Sequence, residues 1–300
     1  MLLGDCTHVC GAKLVSAVMA RDYQDVSIAA RELLQTRPTA KRLILSVLSQ
    51  PNMAVLPIRQ LVAWGALFDQ KPAAIRVTAG RLVNELLLEK TARGMYTIGA
   101  SGLALKAKAS EWTVALDQVR AWQSGWYVVH TGHLGKAVRR NVRARERAFR
   151  LLGFKELVEG LWVRPDNLRL DQAQMFEKLC QLGLDSGAVL LRSDHLVGDH
   201  TDALFDLWRH KDLNRGYDFA AALLAQSQKR LQGESLHRIT RETFLIGEHV
   251  IRLISTDPLL PEGQIDAGKR QAMVDAMTHY SEFCDPYWAE FLDRAADRSQ

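Results

Sequence analysis

Pro51, Pro57 and Pro72 divide residues 39–98 into short segments, and few folds fit this division. The prolines separate three short segments in which apolar residues recur at the spacing of an α-helix. Thr39 suits the N-cap of the first helix, while Pro57 and Pro72 stand at the starts of the second and third. Two short extended segments within 87–98, joined by a turn, follow the third helix. This order predicts a winged helix-turn-helix, because the added wing is more specific than a helix-turn-helix alone.

The apolar stripe of the third predicted helix, which we expect to be buried, consists of Ile75, Ala79, Leu82, Val83 and Leu86. The helix carries polar residues on the side away from this stripe. Arg76 and Arg81 are able to bind guanine bidentately or to hold a phosphate, and Thr78 and Asn84 to contact bases or backbone. A lysine before the helix and an arginine at the wing tip suit phosphates or the minor groove. The predicted DNA-binding residues are therefore Lys71, Arg76, Thr78, Arg81, Asn84 and Arg93. The alternative is that these are solvated charges on a winged helix that binds another protein.

The charge of the chain changes along its length. Residues 1–110 hold 14 Lys and Arg against 7 Asp and Glu, whereas residues 169–300 hold 15 against 21. The net charge is therefore +7 at the front and −6 at the back, within a total of +5. A basic front suits a polyanion such as double-stranded DNA, although random surface charge gives a similar asymmetry.

A second basic feature follows Gly135, where residues 136–152 predict a long helix. Its arginines on one face are Arg139, Arg143, Arg147 and Arg150. These side chains suit the DNA backbone, the phosphates of CoA or an acidic partner. Because basic helix faces are common, an exposed face paired with the acidic back half is the simpler interpretation.

The rest of the chain predicts an α+β protein with further domains. Residues 122–198 predict the order β-α-β-β-α-β, which is the ferredoxin-like arrangement. Helical patterns dominate afterwards, with two separate helices expected over 266–283 and 286–297. The predicted division is an N-terminal extension (1–36), a winged-helix DNA-binding domain (37–100), a connecting helix (101–121), a ferredoxin-like central domain (122–198) and a C-terminal helical domain for effector binding or dimerisation (199–300).

Several local stretches carry a family resemblance. Residues 75–82 are similar to a recognition helix in which two arginines precede a leucine, and 92–98 are similar to a wing. The remaining matches are Trp122, Trp126, 152–154, 161–163, Leu207, Trp208, Tyr217, Phe219 and 257–261. Together, from Arg37 to the C-terminal helices, they resemble the PaaX family of bacterial repressors of phenylacetic acid degradation.

The resemblance implies a cytoplasmic, homodimeric repressor of an aromatic or related carboxylic acid catabolic operon. It further implies release from the operator by an aryl-CoA or acyl-CoA thioester, such as phenylacetyl-CoA. A CoA thioester needs cations for its phosphates and an apolar slot for its acyl group. Candidate effector-binding residues in the C-terminal helices are Trp208, Lys211, Arg215, Tyr217, His249 and Arg252. The alternative for the aromatic members is that they belong to the core.

Three groups of potential metal ligands occur, and none has the spacing of a zinc motif. They are Cys6, His8 and Cys10; Asp194, His195, Asp199 and His200; and His130 and His133. The first group lacks a distant matching pair, the second fits a linker between domains, and the third stands at a strand end. We therefore expect no metal site and no cofactor.

Catalytic motifs are likewise missing from the sequence, so we expect no enzyme. The alternative function is a nucleic-acid- or CoA-thioester-processing enzyme built on the ferredoxin-like domain. No apolar run is long enough for a membrane span, and the N-terminus does not read as a secretory leader. Four cysteines in 300 residues do not form a disulfide framework and suit a reducing cytoplasm.

Overall fold

The computed structural model describes residues 26–50, 53–135, 137–197 and 204–297. Its helices are α1 (Val26–Leu34), α2 (Ala40–Leu48), α3 (Ile58–Ala66), α4 (Pro72–Asn84), α5 (Ala100–Ser110), α6 (Arg139–Leu151), α7 (Gln172–Leu182), α8 (His210–Arg230), α9 (Leu236–Ser255) and α10 (Ala267–Asp297). Its strands are β1 (Val55–Pro57), β2 (Leu88–Ala92), β3 (Met95–Ile98), β4 (Trp126–His130), β5 (Lys155–Val158), β6 (Leu161–Pro165) and β7 (Val189–Ser193). The two sheets are antiparallel, so the predicted α+β class is confirmed.

The chain packs into two compact units, each built from separate stretches. The first unit joins the described residues up to Glu111 with Phe219–Val250 and with the residues from Asp275 onward. The second joins Trp112–Asp218 with Ile251–Val274. Helices α8, α9 and α10 therefore contribute to both units, whereas the sequence predicts consecutive domains. The functional domain boundaries stay a prediction.

Residues 39–98 form the three predicted helices and the two predicted strands. Thr39 is the N-cap of α2, and its hydroxyl accepts a hydrogen bond from the backbone N–H of Arg42 at 3.3 Å. Strand β1 adds a third strand to the hairpin, in the order β1-β3-β2. The sequence did not predict β1, because three residues are too few to show an alternating pattern.

The end of α4 differs from the prediction at Leu86, which the helical spacing places on the buried stripe. Helix α4 ends at Asn84, and Leu86 is 62 % exposed with a left-handed φ of 58°. A left-handed residue turns the chain away from the helix axis, so Leu86 leaves the stripe that the earlier residues of α4 form.

C-terminal helices complete the core of the first unit. Trp64 of α3 is 1 % exposed and packs edge-on against Phe244 of α9 and Trp288 of α10, with ring centroids 5.7 and 5.2 Å apart. The side-chain amide of Gln60 donates a hydrogen bond to the carbonyl of Leu292 at 2.9 Å. Helix α3 is therefore fixed against α9 and α10, and through α3 the neighbouring α4 has a rigid base.

The second unit contains a four-stranded sheet in the order β5-β6-β4-β7. Its strands and helices follow one another as β-α-β-β-α-β, the order predicted for this part of the chain. One face of the sheet packs against α6 and α7 through a buried cluster that includes Tyr127, Val129, Phe149 and Leu179. Strand β4 is central in the sheet, which explains why four of its five residues are buried.

Arg164 is buried within this second unit. Its guanidinium donates hydrogen bonds to the carbonyl of Leu152 and to the side chain of Asn167, the latter at 3.0 Å. Asn167 in turn donates to the carbonyl of Leu259 at 2.7 Å. Burial lowers the pKa of Arg164 to about 10. This buried charge therefore joins β6 to distant parts of the chain.

Two predicted helices have different bounds in the structure. The connecting helix expected over 101–121 is α5 followed by two short 3₁₀ turns, Glu111–Val114 and Leu116–Gln118. The helices expected over 266–283 and 286–297 are one helix, α10, with Pro286 inside it. Buried Trp288 and Leu292 continue the apolar side of α10 beyond the proline, so packing holds the helix together.

No helix within the described ranges is both long enough and apolar enough to cross a membrane.

Candidate nucleic-acid interface

Helix α4 turns one face to the core and leaves the other open. Pro72 lies in its first turn, where the missing N–H leaves no hydrogen bond unmade. Ile75, Ala79 and Leu82 are fully buried. Because residues three and four apart share one side of a helix, the remaining positions face away from this stripe. The result is a helix with a single apolar stripe and an accessible outer surface.

Both predicted arginines of α4 lie on this outer surface. Within the described part of the chain, no hydrogen bond or ion pair holds exposed Arg76. The Arg81 side chain is 62 % exposed and lies 3.5 Å from the carboxylate of Glu85, which also binds Lys41 at 3.1 Å. An exposed ion pair of this kind contributes little, so Arg81 is able to exchange Glu85 for a stronger anion.

The other predicted residues of α4 also reach solvent. Lys71 and Asn84 are exposed, while Thr78 is half-buried. Two residues outside the predicted set share the surface. Val77 is 72 % exposed, and a Cβ added to Gly80 has no neighbour within 4 Å. The outer surface therefore offers apolar contact and a close backbone approach beside its cations.

The turn between β2 and β3 carries the predicted wing arginine, Arg93, which is exposed. The next residue, Gly94, has a positive φ of 78°, and its carbonyl accepts a hydrogen bond from the N–H of Ile58 at 2.8 Å. This bond brings the turn to the start of α3, next to exposed Arg59. Sequence reasoning missed Arg59, because its position depends on the pairing of β1 with β3.

The arginines of α6 divide into two groups. Arg139, Arg143 and Arg150 are exposed, as predicted for one face. Arg147 is half-buried, and its guanidinium donates to the carbonyl of Leu182 at 3.2 Å. Arg145, which the prediction left out, is 6 % exposed and forms an ion pair with Asp185 at 3.0 Å. Part of the charge on α6 therefore holds this helix to neighbouring segments, and the exposed face is smaller than predicted.

The residues predicted for effector binding have different surroundings. Trp208 is 4 % exposed, and its indole N–H donates to the carbonyl of Gly153 at 2.8 Å. Tyr217 and His249 are also buried, Arg252 is half-buried, and the exposed members are Lys211 and Arg215. His249 belongs to the first unit and the other five to the second. The aromatic members thus contribute to the core, and their role toward an effector stays a prediction.

Buried Tyr217 and Arg270 form an ionisable cluster with half-buried Asp257 in the second unit. Burial, together with the charge of Asp257, raises the pKa of the Tyr217 hydroxyl. Burial also raises the pKa of Asp257, although Tyr217 and Arg270 oppose this shift. The Arg270 guanidinium additionally donates to the carbonyl of Leu260 at 2.8 Å. These contacts link α8, α10 and the segment after α9.

Only some of the potential metal ligands named from the sequence lie within the described residues. Residues outside the described ranges include Cys6, His8, Cys10, Asp199 and His200. Asp194 forms an ion pair with Arg192 at 2.7 Å. Within residues 26–50, 53–135, 137–197 and 204–297, no three His, Cys, Asp or Glu side chains are grouped to hold a metal ion.

Comparison with known proteins gives a likeness of fold. No protein-family model and no curated protein matches this chain. Among solved structures, the chain is similar to an uncharacterized protein, Rv0674 from Mycobacterium tuberculosis, with a TM-score of 0.57 and 24 % sequence identity. The match covers 83 % of this chain and 98 % of that one. This likeness shows a shared fold, and the resemblance to PaaX repressors stays a prediction.

Proposed function

We propose that this protein is a DNA-binding transcriptional regulator. In this proposal, residues 37–100 act as a winged helix-turn-helix, α4 is the recognition helix and the β2–β3 turn is the tip of the wing. The observation that carries the proposal is Arg76, an exposed guanidinium with no partner in the described part of the chain. It stands on a helix whose other side is anchored by Ile75, Ala79 and Leu82.

The outer surface of α4 has the chemistry needed to read base edges in a major groove. A guanidinium donates two parallel hydrogen bonds to O6 and N7 of guanine, a role that suits Arg76 and, once released from Glu85, Arg81. The exposed methyl groups of Val77 match the methyl group of thymine. Gly80 adds no side chain, so the backbone of α4 is able to approach the DNA closely.

Cations around α4 suit the phosphates that flank such a site. Lys71 precedes the first turn of α4, and exposed Arg93 and Arg59 are the chain neighbours of Gly94 and Ile58, whose hydrogen bond joins the wing turn to the start of α3. Phosphate contacts fix the register of a protein on DNA without reading its sequence. This division assigns recognition to α4 and positioning to the residues around it.

The regulatory part of the proposal rests on the resemblance to the PaaX family. It assigns a homodimeric repressor, a ferredoxin-like central domain and an aryl-CoA or acyl-CoA thioester as effector. Two copies of α4 related by a two-fold axis match a palindromic operator whose half-sites lie on one side of the duplex. The effector releases DNA only by binding more tightly to a conformation that does not fit the operator.

Footprinting with the full chain on the DNA upstream of its own gene tests the DNA-binding role. We expect protection of two half-sites whose centres are separated by about 10–10.5 base pairs or a multiple of this. The affinity should fall steeply with salt, because each neutralised phosphate contributes about 0.9 to the slope of log K against log salt. An interaction module for proteins leaves no footprint at any salt concentration, and this result would overturn the proposal.

The effector is tested separately by thermal unfolding with a panel of CoA thioesters. Phenylacetyl-CoA should raise the unfolding temperature and lower operator occupancy, whereas free phenylacetate should do neither. A DNA footprint that no aryl-CoA or acyl-CoA changes would keep the DNA-binding role and remove the thioester. The two parts of the proposal thus fail independently.

A further inference from the structure

Two histidines face each other at the end of β4. His130 is the last residue of the strand, and His133 lies in the turn that follows it. Both side chains are exposed, and their Nδ1 atoms are 3.3 Å apart. The ring centroids are 5.1 Å apart. Because the centroids are farther apart than the nitrogens, the two Nδ1 atoms lie on the sides of the rings that face each other.

This separation fits two imidazoles that share one tetrahedral metal ion. Zn²⁺ binds histidine nitrogen at roughly 2.0–2.1 Å, and a tetrahedral angle then separates two ligand nitrogens by about 3.3–3.4 Å. The observed 3.3 Å between the Nδ1 atoms lies in this range.

The hydrogen bonds of His133 select the proton arrangement that a metal ligand needs. Its Nε2 lies 2.7 Å from the carbonyl oxygen of Gly187. A carbonyl only accepts, so this Nε2 carries the proton and the Nδ1 of neutral His133 has a free lone pair. Histidines that bind metals commonly donate their other N–H to a carbonyl in this way. In the metal-free protein, His130 Nδ1–H donates to that lone pair.

The backbone under the two histidines is tightly constrained. The N–H of Thr131 donates to the carbonyl of Gly160 at 2.7 Å. A Cβ on Gly160, which has a φ of +78°, would come within 2.7 Å of the Cα of Gly132. A Cβ on Gly132 would in turn come within 3.0 Å of Nε2 of His130. Two glycines therefore allow the close approach that sets the imidazole positions.

We propose that His130 and His133 together bind one divalent metal ion of the class that prefers imidazole, with Zn²⁺ as its representative. The ion takes the Nδ1 lone pairs of both rings, and the proton of His130 moves from Nδ1 to Nε2. Water fills the remaining positions. The two residues are three apart in sequence, across the end of a strand, which is why no sequence motif indicates this site.

Zn²⁺ titration of the full, ¹⁵N-labelled chain tests the proposal, with histidine side-chain resonances as the readout. We expect Zn²⁺ to shift the Nδ1 resonances of His130 and His133 together. His279 is the matched control, because it is an exposed histidine whose Nδ1 lies 2.7 Å from the carbonyl of Asp275 in its own helix. Its resonances should not move.

Variants make the test quantitative. In a Cys6→Ser/Cys10→Ser background, which removes the thiolates near the N-terminus, His130→Ala and His133→Ala should each lose the Zn²⁺ retained after dialysis. His279→Ala should retain it, and unchanged circular dichroism should show that all variants fold. Retention of the same Zn²⁺ by His130→Ala and His133→Ala would overturn the proposal. Unshifted Nδ1 resonances of both histidines would do so as well.

Discussion

Helix α4 and the part of α9 up to Val250 lie in the same compact unit but differ in how many of their sides are covered. In α4, Ile75, Ala79 and Leu82 form one buried stripe, and the residues between them reach solvent. In the middle of α9, six consecutive residues from Glu242 to Gly247 are buried, so every side of this stretch has a neighbour. Helix α4 therefore lies at the surface with one face packed on the core, whereas the middle of α9 is part of the core.

The difference decides what a polar residue on each helix is able to do. On α4, Arg76 is accessible because nothing in the described part of the chain packs over it. On α9, Glu242 is 2 % exposed and accepts hydrogen bonds from Ser227 and Arg230. A buried carboxylate with charged and hydroxyl partners stabilises one packing arrangement and is not available to a ligand. Accessibility, more than residue type, therefore separates a candidate site from a structural network.

The largest expected effect comes from the core side of this comparison. Phe244→Ala on α9 should destabilise the fold by about 3–5 kcal/mol, because it removes a ring that packs on Trp64, Phe68 and Trp288. Val77→Ala on α4 should stay within about 0.5 kcal/mol, since Val77 is 72 % exposed. Urea unfolding followed by tryptophan fluorescence measures both. Equal losses would show that α4 is covered in solution.

A smaller effect, now on affinity, should come from the surface side. Arg76→Ala should weaken binding to the footprinted operator by about 1–3 kcal/mol if this guanidinium reads a base. The matched control on α9 is Arg238→Ala, because Arg238 is 50 % exposed and forms an ion pair with Glu234. The Arg238→Ala variant should bind the operator as tightly as the wild type. Fluorescence anisotropy at one fixed salt concentration compares the variants, and equal affinities would remove α4 as the recognition helix.

The cluster of Tyr217, Asp257 and Arg270 predicts that the stability of the protein depends on pH. Burial raises the pKa of Asp257 above 3.8, so the folded protein binds this proton more readily than the unfolded chain does. Its contribution to stability is therefore greatest at low pH and is lost as the pH rises from 3.8 through the raised value. Asp257→Asn should remove this loss, and urea unfolding at several pH values should give a smaller decline toward neutral pH. A decline as large as that of the wild type would contradict the raised pKa of Asp257.

Periodicity and turn chemistry predict a helix well when the helix is amphipathic, with one buried apolar face. Thr39 was identified as a cap, and Ile75, Ala79 and Leu82 as buried, because α2 and α4 are short and amphipathic. The same reasoning expected a break at Pro286, where tertiary packing continues the helix instead. His249, a candidate effector-binding residue, is 4 % exposed, and its role toward an effector stays a prediction.

Sites that depend on pairing between distant strands are the part that sequence does not reveal. Arg59 approaches the wing only because β1 pairs with β3, and β1 has just three residues. The turn at His133 is fixed by the carbonyl of Gly187 and, through Thr131, by Gly160. No local pattern around either residue encodes these partners. The exposed face of α4 depends on one helix alone, which explains why its outward-facing residues were predictable, while their role in DNA binding stays a proposal.

The smallest expected effects come from one glycine in each of helices α4 and α9. Gly80 and Gly247 both lie inside a helix, where alanine is favoured over glycine by about 0.5–1 kcal/mol. A Cβ at Gly80 meets nothing within 4 Å, and a Cβ at Gly247 meets the methyl group of Met277 at an ordinary 3.4 Å. Neither substitution creates a clash, so Gly80→Ala and Gly247→Ala should each raise the stability to urea by this small amount.

Their effects on DNA should nevertheless differ. Gly80→Ala adds a methyl group to the surface that we place against the groove, so its operator affinity should fall although its stability rises. Gly247→Ala adds the same methyl group inside the core and should bind the operator like the wild type. Opposite signs in stability and affinity for Gly80→Ala cannot arise from unfolding, because unfolding lowers both together. If Gly80→Ala binds as tightly as Gly247→Ala, then α4 does not approach DNA at its centre, and contact must be sought at Arg59 and the wing.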